Sequence, residues 1–277
     1  MDDNQFQQLL ERLGLAWPGY RKVRKGVKKR LVRHMQELGC QRIDTYLDLV
    51  SRNADVRSEC LQRMTVSISR FYRDRKLWSD LMAVILPEIL ADRRGPVRVW
   101  SAGCARGEEI YSFRILWESL RQQRKDLPAL ELIATDMVPD YLVQARCGSY
   151  AAASVKDVPG DLLDTCFYRK KGGRRYEIKP FLKSGVRWVL RDLLDDPPGD
   201  GFDLIFLRNN LLTYYLDPLK IPALHRIVDS LASEGWLIIG SHERIPDGFP
   251  AIARHPSIPW AWKKTDASRG EEDPDFD

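Results

Sequence analysis

Apolar residues recur along this chain with a helical period first and a strand-and-helix alternation afterwards. Over residues 5–80 the spacing is helical throughout: Phe6, Leu9, Leu10 and Leu13 share one face before a break at Gly14 and Pro18-Gly19. Val23, Val27, Leu31 and Val32 then give a charged helix a buried edge, and helical stretches follow over 43–50, 56–64 and 76–90. The polar run Asp92-Arg93-Arg94-Gly95-Pro96 ends in a Gly-Pro breaker and reads as a linker. Beyond it, short apolar runs at 97–100, 132–135, 186–190, 202–207 and 236–240 predict strands, separated by helices from Glu108 and over 141–146 and 219–231. That alternation predicts an α/β, doubly wound sheet preceded by an all-α domain. The expected boundaries are 1–91 for the helical domain and 96–265 for the α/β domain.

Three further expectations concern the second domain. Two β-prone runs flank Gly172-Gly173 within 166–178, which predicts a hairpin inside an insertion over 147–185. Asp195 to Gly201 and Glu234-Gly235 read as turns, and 250–264 as a closing antiparallel pair. The acidic residues 266–277 have no core to join and are expected to be disordered.

The chemistry concentrates in Val97 to Asp136, where a strand, a glycine turn, a helix and a second strand end in an acid. In open α/β sheets this order sets a nucleoside at the carboxyl ends of the strands, with the acid on the ribose hydroxyls. A pyrophosphate site wants GxGxxG and a helix N-terminus facing the anion, whereas here the spacing is Gly103-x-x-x-Gly107 and Glu108 and Glu109 follow at once. Those glutamates repel phosphate and suit the positive end of the helix dipole. They read either as capping residues or as the receiver of a ligand with cationic groups, such as S-adenosylmethionine, which carries a sulfonium, an ammonium and a ribose diol and no phosphate.

Composition narrows the class. The chain has 277 residues, 44% hydrophobic and 30% charged, with no apolar run long enough to span a membrane. Its N-terminus Met1-Asp2-Asp3-Asn4 lacks the basic and apolar regions of a signal peptide, so a soluble, cytoplasmic protein is expected. Five scattered cysteines without CxxC or partnering histidines predict reduced thiols and no metal site. Arg21, Lys22, Arg24, Lys25, Lys28, Lys29, Arg30 and Arg33 form the densest charge run, which is either a solvated face or a surface for an acidic partner. With a net charge of only +5 and no nucleic-acid motif, nucleic acid is not the expected partner; an acidic protein helix would serve.

The segments Ser67-Ile-Ser-Arg-Phe-Tyr-Arg73-Asp, Val99-Trp-Ser-Ala-Gly-Cys-Ala-Arg-Gly-Glu-Glu-Ile-Tyr-Ser112, Ala134-Thr-Asp136 and Phe202-Asp-Leu-Ile-Phe-Leu-Arg-Asn209 closely resemble the CheR-type chemotaxis receptor methyltransferases. The resemblance covers nearly the whole chain. It implies a Rossmann-like class I methyltransferase fold, S-adenosylmethionine as cofactor, and esterification of glutamate side chains on acidic helices of a receptor-like protein by a monomer. By the same matching, Arg73 orients the reacting carboxylate. Ser67, Ser69, Arg73, Gly103, Glu109, Asp136, Asp192, Leu193, Arg208 and Asn209 line the cofactor, and Arg24, Lys25, Lys28 and Lys29 meet the substrate. The insertion corresponds to a small β-subdomain that docks a receptor tail peptide in some members, or is a surface hairpin only. Two departures stand out. Asp192 replaces an asparagine, and Thr213 occupies the place of a substrate-orienting tyrosine, with Tyr214 one residue late. These leave open another carboxylate or small-molecule acceptor, or a weakly catalytic cofactor-binding signalling module.

Overall fold

The helical period at the start of the chain builds helices at Asp3–Leu13, Trp17–Tyr20, Arg24–Glu37, Ile43–Arg52 and Ala54–Met64 in the computed structural model, which describes residues 1–91, 93 and 95–265. The expected disordered tail, 266–277, lies outside the described residues. The chain divides into two compact units, residues 1–68 with 209–222, and residues 69–208 with 223 onward.

In the first unit Asp2 caps the opening helix through a reciprocal pair with Gln5, and Gly14, at φ 71°, ends it in the left-handed region. Phe6, Leu9, Leu31 and Tyr46 are fully buried in its core. Where a break was expected at Pro18-Gly19, the chain makes a single helical turn, because proline in the first turn loses no hydrogen bond. Residues 209–222 join this unit through an isolated antiparallel bridge between Leu15 and Tyr215. The Ala16 N–H donates to the Tyr214 carbonyl at 2.8 Å, and the Leu216 N–H to the Gly14 carbonyl at 2.9 Å. The Tyr214 ring packs on Tyr20, 4.9 Å between centroids.

The second unit holds strands β1 (Val97–Ala102), β2 (Leu130–Asp136), β3 (Ser149–Ala151), β4 (Phe167–Arg169), β5 (Arg175–Ile178), β6 (Val186–Leu190), β7 (Phe202–Leu207), β8 (Leu231–Ile239), β9 (Ile252–Arg254) and β10 (Ala261–Lys264). Seven of them form one sheet in the order β6-β2-β1-β7-β8-β10-β9, parallel from β6 to β8 and closed by the antiparallel β10 and β9. Helix Glu108–Gln123 links β1 to β2, as the pattern predicted. The chain winds outward from β1 to β6 and then resumes at β7 on the other side of β1. This reversal is the switch point where such sheets bind ligands. All six residues of β7 are buried, which is why it reads as an unbroken apolar run with a single aspartate.

The insertion between β2 and β6 carries the second sheet, β3-β5-β4, with β4 and β5 antiparallel around the Gly172-Gly173 turn. The turn expected at Glu234-Gly235 lies within β8 as an irregularity: Glu234 has φ 60°, and the register with β7 shifts between Phe202 and Leu204. The irregularity absorbs three extra residues of β8, which advances five positions from Leu231 to Trp236 while β7 advances two, without ending the strand. The helix expected over 76–90 is continuous but mixed, α at Arg75–Asp80, π at Leu81–Ile85 and α again at Leu86–Leu90.

Candidate active site at the carboxyl edge of the sheet

The carboxyl ends of the parallel strands deliver Asp192 after β6, Asp136 at the end of β2, Gly103 after β1 and Arg208 after β7. The turn after β1 is tightly made. Thr135, the residue before Asp136, accepts the N–H groups of both Gly103 and Cys104 through its carbonyl, at 2.9 and 2.8 Å. Gly103 at φ 77°, Ala105 at φ 49° and Gly107 at φ 86° all take left-handed backbone. At Gly107 a side chain is also excluded by space, since a Cβ would lie 2.8 Å from the Trp188 ring. This explains a spacing that differs from the pyrophosphate fingerprint: the amides of the turn are used to tie β1 to β2 rather than to face an anion.

Asp136 is held from both sides. One carboxylate oxygen accepts the Ala105 N–H at 2.9 Å and the other the Val138 N–H at 2.9 Å. Each oxygen keeps a further lone pair for a ligand hydroxyl. Burial raises the Asp136 carboxyl above its ordinary range, the backbone donors pull it back, and nearby Asp192 pushes it up again. Asp192, whose Oδ1 accepts the Leu194 N–H at 3.0 Å, is likewise raised by burial and by Asp195.

The two glutamates that open helix Glu108–Gln123 have different environments. Glu108 is buried, one of its oxygens has no hydrogen-bond partner in the protein, and burial raises its carboxyl against a pull from the Ser69 hydroxyl. Both oxygens of Glu109 have a partner: Ser101 donates to Oε1 at 2.8 Å and Arg208 to Oε2 at 2.9 Å. The other arm of Arg208 donates to Asp74, and Asp74 lies 4.0 Å from the Arg73 guanidinium. Charges therefore alternate along Glu109, Arg208, Asp74 and Arg73, from a 4% exposed guanidinium at Arg208 to a 33% exposed one at Arg73.

The segment that carries Arg73 is pinned to this unit and strained. The Phe71 N–H donates to Ser154, the Tyr72 N–H to the Ser112 hydroxyl at 2.9 Å, and the Trp78 indole N–H to the Arg73 carbonyl at 2.9 Å. Tyr72 and Asp74 both have positive φ, 51° and 62°. Side chains rarely sit there unless the surroundings over-determine them, and such positions gather at functional sites.

Of the residues singled out from the sequence, Ser69, Arg73, Gly103, Glu109, Asp136, Asp192, Leu193 and Arg208 belong to the second unit, while Ser67, Asn209 and Thr213 belong to the first. Thr213 lies in the short helix Leu211–Tyr214, which Asn210 caps through its side-chain oxygen. Among the basic residues, Arg24 and Lys28 are paired with Asp3 at 3.1 and 2.7 Å. Lys25 and Lys29 are exposed, one turn apart on the same helix. Sequence reasoning gave no role to Asp74 or Ser101, although both stand inside the quoted motifs; only their contacts with Arg208 and Glu109 reveal them.

A doubly wound sheet, an acid ending β2 and buried carboxylates at Glu108, Asp136 and Asp192 are the features expected where a nucleoside ligand brings positive charge and no phosphate, as in S-adenosylmethionine-dependent methyltransferases. Comparison with known proteins agrees. The family described as "CheR methyltransferase, SAM binding domain" matches residues 67–260, and the chain belongs to that family. It is 31% identical over 241 residues to the chemotaxis protein methyltransferase of Listeria monocytogenes, covering 87% of this chain and 88% of that protein. A probable chemotaxis protein methyltransferase of Rhizobium etli is 30% identical over 226 residues, 79% of this chain and 84% of that one. Chemotaxis protein methyltransferase 1 of Pseudomonas aeruginosa is 27% identical over 241 residues, 84% and 87% of the two chains. The protein is an S-adenosylmethionine-dependent methyltransferase. No helix among the described residues is long and apolar enough to cross a membrane.

Proposed function

We propose that this enzyme methylates glutamate carboxylates on acidic helices of a receptor-like signalling protein. The observation that carries the reading is Arg73, a partly exposed guanidinium on a strained, pinned segment beside Asp74 of the charge series, within a chain of the CheR family. A carboxylate is already ionised at neutral pH, so its methylation needs no general base. It needs the nucleophile stripped of water and aligned, and a guanidinium fork holds a carboxylate in a fixed plane. S-adenosylmethionine supplies the methyl group, on a sulfonium whose positive charge makes it a good leaving group.

Asp136 would take the ribose diol and Asp192 and Leu193 the adenine side. Glu109, shared with Arg208, would face the ammonium, and Ser67, Ser69, Gly103 and Asn209 would complete the wall. The orphaned oxygen of buried Glu108 supports a cationic occupant, because a positive charge nearby relieves a desolvated carboxylate. On the first unit, Arg24, Lys25, Lys28 and Lys29 would meet the acidic substrate, with Lys25 and Lys29 as the more available pair. Thr213, in register with the family's tyrosine, would contact the acceptor through a hydroxyl on a shorter reach, and this departure favours, as a second reading, another carboxylate acceptor. Calorimetric titration with S-adenosylmethionine and S-adenosylhomocysteine tests the cofactor assignment. The expected result is binding to the native chain and none to a folded Asp136→Ala variant; equal binding by both would remove Asp136 from the site.

A further inference from the structure

Between Cys166 and Gly185 the chain carries seven basic residues and one acidic, an excess larger than the net +5 of the whole protein. Strand alternation sorts them onto two faces of the small sheet. Phe167 of β4 and Ile178 of β5 are opposite one another and buried, so they mark the inner face. Tyr168 and Glu177, the next pair, therefore lie on the outer face, and so do Lys170 and Arg175, whose backbones are joined where β4 runs into the turn. Glu177, the one acid of the stretch, is already shared by Lys170 and, at 3.4 Å, by Lys183. Arg175 donates to the Ser149 hydroxyl at 3.0 Å and to the Ser149 carbonyl at 2.9 Å. Arg169, Lys171 and Arg174, beside the Gly172-Gly173 turn, are exposed and have no ion pair among the described residues. Uncompensated charge of one sign is self-repulsive, and an anionic partner relieves it. None of these residues has a part in the methyl-transfer reading above.

The aromatic residues indicate which anion fits. Tyr168, 52% exposed, and Phe181, 47% exposed, are the only exposed aromatic side chains among the described residues, and both fall in this stretch. The Lys179 ammonium stands over the Tyr168 ring, 5.4 Å from its centre. An amphipathic ring set among lysines and arginines suits a bilayer interface, where the ring enters the boundary of headgroups and acyl chains and the cations meet phosphates. Nucleic acid fits less well, because base stacking uses an open ring face and Lys179 covers one face of Tyr168. A peptide added along the edge of β4 would be held by backbone hydrogen bonds, for which these outward side chains are not needed.

We infer that the hairpin Phe167–Ile178 docks on the surface of an anionic lipid bilayer, with Tyr168 entering the interfacial layer and Arg169, Lys171 and Arg174 meeting the phosphate headgroups. The contact stays at headgroup level, because the open edges of a three-stranded sheet cannot enter hydrocarbon.

The test is flotation of the full chain with vesicles of equal parts phosphatidylcholine and phosphatidylglycerol, beside vesicles of phosphatidylcholine alone. The chain is expected to float with the first and not with the second, and to be released at high salt. Each cation removed at an anionic surface costs roughly fivefold in partitioning, so Arg169→Gln, Lys171→Gln and Arg174→Gln together are expected to weaken binding about a hundredfold. Tyr168→Ser keeps every charge and is expected to weaken binding about threefold or more through lost apolar area. Lys25→Gln with Lys29→Gln removes exposed cations from the first unit instead, and this variant is expected to float as the native chain does. Circular dichroism and S-adenosylmethionine binding check that the hairpin variants are folded. No flotation with the anionic vesicles, equal flotation with the neutral ones, native binding by the triple variant or by Tyr168→Ser, or loss of flotation in the Lys25 and Lys29 variant would each overturn the inference. So would capture of a single-stranded oligonucleotide or an acidic peptide by a chain that ignores the vesicles.

Discussion

Replacing Arg208 by methionine should be among the costliest single changes at the sheet edge. The side chain is 4% exposed and is held by Glu109 at 2.9 Å and by Asp74. Methionine keeps much of the apolar stem but leaves Glu109 without its cation and Asp74 with the Arg73 guanidinium 4.0 Å away. Breaking a buried ion pair typically costs about 3–5 kcal/mol, because the surviving charge stays desolvated. Here Glu109 is 15% exposed and Asp74 34%, so solvent relieves the second, and the lower end, about 3 kcal/mol, is expected. Glu109→Gln is milder: Ser101 can still donate to the amide oxygen and Arg208 keeps Asp74, for a loss of about 1–2 kcal/mol. In the double variant Glu109 no longer leaves an orphaned charge, so the combined loss should fall short of the sum by about 1–2 kcal/mol. Urea unfolding at neutral pH measures all four species. Two structural probes are needed, because the two units need not unfold together. A cost below about 1 kcal/mol for Arg208→Met, or strict additivity of the pair, would refute the argument that this guanidinium holds the charge series together.

Two further expectations concern pH and the basic helix. Burial raises the carboxyls of Glu108, Asp136 and Asp192, so in the ligand-free chain each binds protons at a pH where the unfolded chain has released them. Stability should therefore rise as pH falls from neutrality through these raised values toward the ordinary carboxylate range, and affinity for S-adenosylmethionine should fall over the same window, both followed by thermal melts with and without ligand. Reversing the charge of exposed Lys25 and Lys29 together should reduce methyl transfer to an acidic receptor fragment at least tenfold while leaving cofactor binding unchanged; unaltered transfer would sink the receptor-helix reading.

Much of the second unit was legible from the sequence, because its central strands β1, β2, β7 and β8 are largely buried and read as apolar runs, and its turns carry their own glycines. The order from Val97 to Asp136 is local, so strand, turn, helix and acid could be placed without knowing the sheet. What escaped was nonlocal. Nothing in the period of Leu211 to Tyr214 announces that this segment joins the first unit, where Tyr214 packs on Tyr20. The engagement of Glu109 by Arg208 spans 99 positions and could not be inferred from helix capping rules. The basic run likewise read as uniform, whereas Asp3 pairs with Arg24 and Lys28, and Lys25 and Lys29 are among the cations that stay exposed. The π turn left no trace in the hydrophobic pattern, since buried Leu77, Leu81 and Ile85 recur every four residues, a spacing that fits an α-helix as well.

The central claim is that a carboxylate is the methyl acceptor, and the chemistry of the product tests it most directly. The chain would be incubated with tritium-methyl S-adenosylmethionine and an acidic helical fragment of a receptor-like protein, and the labelled product then treated with mild base. A glutamate methyl ester hydrolyses to volatile methanol, so the account predicts base-labile counts that disappear in a fragment whose glutamates are changed to glutamine and in the Arg73→Ala enzyme. Counts that survive base, as a methylamine or methyl ether would, or that persist without the fragment's glutamates, would contradict it.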